Sequence, residues 1–158
     1  MAYVSTRIKK SAAEAFEAEP VVAGEIALIK PEGMLAPVDI EPPLLFRAYS
    51  KEFGEAPNAR VRRIAADVSL LPKVNVRKAA AEIRRSADSV VSESGSDGSL
   101  ELRTKETAGK ARFDGFYKLI GRGPDTFQLR IIALDDEGPS GEDKAREMLD
   151  SFRLKDEV

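Results

Sequence analysis

From Glu25 onward the apolar residues of this chain fall in short runs cut by proline and glycine, and in two of those runs they recur at every second position. Ile64, Ala66, Val68 and Leu70 alternate with Ala65, Asp67 and Ser69, and Phe127, Leu129, Ile131 and Ala133 repeat the pattern further on. A period of two is the side-chain period of a strand with one buried face, so these runs must become strands whose apolar set points to one core. Similar short runs at 25–29, 44–50, 99–104 and 111–120 read as further strands. The stretch Gly121-Arg-Gly-Pro-Asp125 is a turn that joins 111–120 to 126–134 in an antiparallel hairpin.

Two helices interrupt this pattern. After Pro72, Asn75 is placed to cap a helix over about 75–89, with Val76, Ala79, Ala80, Ile83, Ala87 and Val90 on one stripe. A second helix, over about 141–153, follows Gly138-Pro-Ser-Gly141, with Ser140 and Asp143 resembling a cap and Ala145, Met148, Leu149 and Phe152 forming its apolar side. Each helix has one apolar side and is expected to lie on a sheet. The polar stretch Ser92–Ser99, which ends in Asp97-Gly98-Ser99, reads as a loop. Residues 5–18 read as a weakly amphipathic helix that Pro20 ends, which divides the chain into an N-terminal helix or tail (1–20) and one domain (21–158). The fold class is α+β: a mainly antiparallel sheet, one helix across a face, and the terminal helix alongside it or on the other face.

A length of 158 residues suits one such core, able to bury roughly 70% of the surface of the extended chain. There is no His, Cys or Trp. That excludes Ser-His and Cys-His nucleophile pairs, thiolate chemistry, disulfides and the usual zinc and haem ligand sets. The carboxylates that remain are densest at Asp135, Asp136, Glu137, Glu142 and Asp143, within one loop and a helix start. A divalent cation needs oxygen ligands that converge from different elements, so no metal and no cofactor is expected. No run approaches the 18 or so apolar residues of a membrane span, and the opening residues carry charges where an export signal has its apolar stretch. As written the chain reads as cytoplasmic; with a signal removed ahead of it, it would read as a cell-envelope protein.

Charge is segregated along the sequence. Arg60 to Arg85 holds eight cations against Asp67 and Glu82, a net +6, within a chain whose total is −2. On the helix after Asn75, Arg77, Lys78, Arg84 and Arg85 fall on one band opposite the apolar stripe, facing solvent. Such a band can meet an acidic protein, a phosphate-bearing ligand or an anionic membrane surface, or can be neutralised by the acidic 135–143 stretch. The total charge argues against specific nucleic-acid binding.

The closing AREMLDSFRL (145–154), with Ser151-Phe152-Arg153-Leu154 after a short helix, and the IKPEGM turn (29–34) resemble the PsbP-like α/β/α sandwich superfamily. Met34 stands where that family commonly has an aromatic residue after the glycine. The group includes the extrinsic P subunit of photosystem II, small bacterial lipoproteins and periplasmic proteins, and a eukaryotic Ran-binding relative. The resemblance implies an α/β/α sandwich. It transfers no site residue.

The function expected is non-catalytic: an accessory or assembly module that binds another protein through Arg77, Lys78, Arg84 and Arg85 when that partner is acidic. The rivals are a lipid or small-molecule carrier with an apolar pocket, and a hydrolase or lyase built from carboxylates, lysine and tyrosine. An enzyme would bring such groups together in a cleft with shifted pKa values, and a carrier would enclose a cavity. The partner and the oligomeric state are not written in the sequence.

Overall fold

The computed structural model describes residues 15–96 and 98–155. Most of the helix expected over 5–18, and Asp97 of the expected turn, lie outside the described residues. Among the described residues, ten strands and two helices follow in the order β1 (Glu19–Ala23), β2 (Ile26–Lys30), β3 (Met34–Leu35), β4 (Leu44–Ser50), β5 (Ile64–Leu71), α1 (Val76–Ser86), β6 (Ser89–Gly95), β7 (Ser99–Ala108), β8 (Ala111–Arg122), β9 (Asp125–Leu134), α2 (Pro139–Ser151) and β10 (Arg153–Leu154). Seven strands form one antiparallel sheet in the order β3-β4-β5-β9-β8-β7-β6; β1, β2 and β10 form a smaller one.

The hairpin expected at 111–134 is the centre of the large sheet. Arg122 pairs with Asp125, which leaves Gly123-Pro124 as a two-residue turn. Gly123 takes a φ of +58°, a conformation open to glycine at little steric cost. Along β8, Phe116 and Ile120 point to one side and Tyr117 and Leu119 to the other, and the two sets belong to different apolar clusters. Alternation of side chains therefore places the helices on opposite faces. On the first face, Ala145, Met148 and Leu149 of α2, with Phe152 just after it, and Ile26, Leu28 and Leu154 of the small sheet pack on Phe116, Phe127, Leu129 and Ile131. On the second, Val76, Ala79, Ala80 and Ile83 of α1 pack on Leu102, Tyr117 and Leu119. The layers are α1, the large sheet, and a third layer of α2 with the small sheet.

Both segments that carry the family resemblance serve this third layer. The Ser151 hydroxyl accepts the Ile29 N–H at 2.8 Å, Phe152 is 1% exposed, and Leu154 pairs with Ile26. Lys30, fully buried, donates through Nζ to the carbonyls of Ala15 (3.2 Å), Glu17 (2.6 Å) and Met34 (2.5 Å). An ammonium out of water needs such acceptors, and here they tie the chain before β1 to the turn after β2.

Four local expectations are corrected. Pro20 does not precede the first strand; it lies within β1 opposite Ile29, in an edge strand of the small sheet, where a missing N–H is tolerated. The helix after Asn75 stops at Ser86, and Val90 belongs to β6. Most of Ser92–Ser99 is strand rather than loop, since β6 continues to Gly95. Finally, α2 begins at Pro139 after Gly138, with no side-chain cap from Ser140, because proline's fixed φ and missing N–H suit the first helical turn. The Asn75 cap does form: its side chain accepts the Lys78 N–H at 2.8 Å.

Candidate functional site

The four cations expected to form one band all lie exposed on α1. Arg84 bridges Glu93 of β6 at 2.5 Å, and Arg85 pairs with Glu82 one turn back. The hydrogen bond that Arg84 donates to Glu93 raises the pKa of Arg84, and the one that Arg85 donates to Glu82 raises Arg85 while lowering Glu82. These contacts are on the surface, where an ion pair contributes little to stability. The acidic 135–143 stretch is engaged elsewhere: Asp136 and Glu137 bridge Arg63 at 3.6 and 3.3 Å, and Glu142 bridges Arg103 at 2.7 Å. The positive stretch of sequence is thus divided in space among a loop contact, the outer face of α1 and the sheet.

The sheet holds a group that the sequence reading did not assemble. Arg47 of β4, Asp67 of β5, Arg130 of β9 and Tyr117 of β8 are successive cross-strand partners, so they form one row across four strands on the α1 side. Arg130 Nε donates to the Tyr117 hydroxyl at 3.3 Å, and that hydroxyl donates to Glu106 Oε2 at 2.6 Å. Thr104 donates to the same oxygen at 2.6 Å, and the other Glu106 oxygen lies 3.8 Å from Arg130. Gly115 makes room for this carboxylate, because a Cβ there would collide with Glu106 and with the Thr104 hydroxyl.

Burial sets the electrostatics of the row. Desolvation raises the pKa of Asp67, against the opposing pull of Arg130 and Arg47. Tyr117 is pushed up to about 12, first by burial and then by its hydrogen bond to Glu106. Burial works to lower Arg130, but its hydrogen bond to Tyr117 and the nearby negative charge outweigh this and raise it. Beyond the row, the Arg62 guanidinium lies 4.5 Å from the centre of the Tyr49 ring and 4.1 Å from that of Phe53. The sequence signal for the row is a polar residue opposite the apolar set in β4, β5 and β9; which of them become neighbours depends on register.

On the opposite side, α2 and the β6–β7 end of the sheet flank a cleft of about 210 Å³. Arg103 stacks over Phe116 at 5.1 Å there, and Arg146 bridges Glu101 at 2.5 Å. Its walls are ion pairs around a small apolar floor.

No family model matches the sequence, and no curated protein matches it significantly. Solved structures do. The Ran-binding protein Mog1p of Saccharomyces cerevisiae is 13% identical, with a TM-score of 0.61 over 89% of this chain and 96% of that one. LpqN, involved in cell envelope biogenesis of Mycobacterium tuberculosis, is 14% identical, with a TM-score of 0.60 over 92% and 97%. Cyanobacterial PsbP (CyanoP) from Synechocystis sp. PCC 6803 is 8% identical, with a TM-score of 0.56 over 92% and 97%. Three proteins of such different sequence match this chain in fold along almost their whole lengths, and the chain has the PsbP-like α/β/α sandwich fold.

Proposed function

We propose that this chain is a non-catalytic binding or assembly module for another protein, and that its partner presents acidic groups to Arg77, Lys78, Arg84 and Arg85. The observation that carries this reading is the placement of α1: its apolar side is docked on the sheet, its cations are exposed, and acidic residues of the loop before α2 and of its first turn are engaged by Arg63 and Arg103. The Ran-binding activity of Mog1p adds support by analogy of fold. The carrier reading is weaker because the cleft beside α2 is rimmed by ion pairs rather than enclosed by apolar side chains. The hydrolase or lyase reading is weaker because Asp67 is flanked on both neighbouring strands by arginines, Arg47 and Arg130, rather than by a second carboxylate or a lysine.

Capture of partners from native cell extract, with wild type compared against the Arg77→Glu, Arg84→Glu double variant, tests the proposal. The variant is expected to fold within about 0.5 kcal/mol of wild type per substitution and to lose the partner. Wild-type capture should weaken as salt rises past about 0.15 M. A partner held equally by both proteins at low salt would sink it.

A further inference from the structure

Among the described residues, the α1 side of the large sheet is covered only in part. Val76, Ala79, Ala80 and Ile83 shield Leu102, Tyr117 and Leu119, at the β7–β8 end. Toward β4 the same face presents exposed Arg47 and half-buried Tyr49, Asp67, Ser69, Gln128 and Arg130. This face carries arginines held in place by aromatic rings.

Arg62 is the clearest case. Its Nη1 donates to the carbonyls of Ser50 (3.0 Å) and Lys51 (3.2 Å), and its guanidinium lies against Tyr49 and Phe53. The Arg47 guanidinium stands 5.7 Å from the centre of the same Tyr49 ring. Among the described residues no carboxylate lies within ion-pair distance of either Arg47 or Arg62, whereas Glu106, at the far end, is already engaged by Tyr117, Thr104 and Arg130. The surface therefore has an excess of positive charge at its β4 end, and Phe53 is 43% exposed beside it. Ordering a long side chain is a main cost of association, and rings and carbonyls have already restricted Arg62. Fixed planar guanidinium groups favour carboxylates, and arginine with tyrosine is the composition of interface hot spots.

We infer that the uncovered half of the sheet, from Phe53 and Arg62 across Tyr49 and Arg47 to Arg130, is a docking surface for an acidic, aromatic-containing segment of a partner protein. This rests on the reading of the chain as a binding module, but not on the cations of α1. The carboxylates of the segment meet Arg47 and Arg62, and an aromatic side chain lies on Phe53.

The test uses the full chain and a fluorescein-labelled decapeptide of alternating Glu and Tyr, with a Gln-Tyr decapeptide and an oligothymidylate of equal length as controls, read by fluorescence anisotropy. At about 0.05 M salt the Glu-Tyr peptide is expected to bind about ten-fold tighter than the Gln-Tyr peptide, and tighter than the oligothymidylate. Arg47→Gln with Arg62→Gln should weaken it about ten-fold. Arg47→Gln alone, which removes no hydrogen bond among the described residues, should weaken it about three-fold, more than Arg77→Glu with Arg84→Glu does, while Lys110→Gln in the exposed turn between β7 and β8 leaves it unchanged. Equal binding of the two peptides, or no binding of either, overturns the docking surface while partner capture through α1 still stands or falls by its own experiment. Loss of binding in the α1 variant alone moves the acidic site to the helix. Tighter binding of the oligothymidylate makes the surface a phosphate site and overturns it as well.

Discussion

The two faces of the large sheet are built from the same strands and treated differently. On the α2 side the small sheet, α2 and Phe152 close over a continuous apolar layer in which Leu129, Ile131 and Met148 have no exposure. On the α1 side, among the described residues, one eleven-residue helix covers the β7–β8 end, and a polar row runs across β4, β5, β9 and β8. A strand that is buried on one face gains its hydrophobic stabilisation there, so the residues of the other face are released from packing and are available for recognition. The difference between faces separates what holds this chain together from what it presents.

Three experiments would break or sharpen that contrast. The largest effect is expected from Phe152→Ala, on the covered face: with Phe152 1% exposed in the main cluster, truncation should cost about 3–5 kcal/mol, read as a lower urea midpoint at unchanged slope. A midpoint equal to wild type would mean that α2 is not docked as described.

The next effect comes from the polar row. Tyr117 has a folded-state pKa raised from 10.0 to about 12, so the folded state holds that proton more tightly than the unfolded chain does. Its contribution is fully present below pH 10 and is lost as pH rises through about 12, amounting to up to about 3 kcal/mol. Urea denaturation of wild type and Tyr117→Phe across that range checks this. Wild type should lose more stability than the variant, and parallel curves would remove Tyr117 from the buried network.

The smallest effect belongs to the open end. Arg47 is exposed and makes no ion pair among the described residues, so Arg47→Gln should leave stability within about 0.5 kcal/mol of wild type. A loss as large as that of Phe152→Ala would show that this face is also structural, and the contrast between the faces would fail.

Much of the scaffold is legible in the sequence because its determinants are local. Leu44–Ser50 forms β4 with the bounds its apolar run suggests, the alternating runs at 64–70 and 126–134 become β5 and β9, and Asn75 caps α1. Period-two patterning, a glycine in a two-residue turn and a capping amide act within a few residues of one another. Strand β6 is missed for the complementary reason. As an edge strand exposed along most of its length, it needs no apolar alternation, and its Ser- and Glu-rich sequence looks like a loop.

The polar row is the part that only the tertiary structure decided. Arg47, Asp67, Tyr117 and Arg130 each occupy a strand, and the sequence by itself determined that Arg47, Asp67 and Arg130 fall opposite their strands' apolar sets. It did not determine that all four stand side by side. That depends on pairing β4 with β5, β5 with β9, and β9 with β8, including a shift of register between Leu44 and Phe46, and a slip of one residue in any pair would scatter the row. Such register is fixed by turns, bulges and the shared core, which are non-local, whereas the face each residue points to is fixed by the pleat of its own strand.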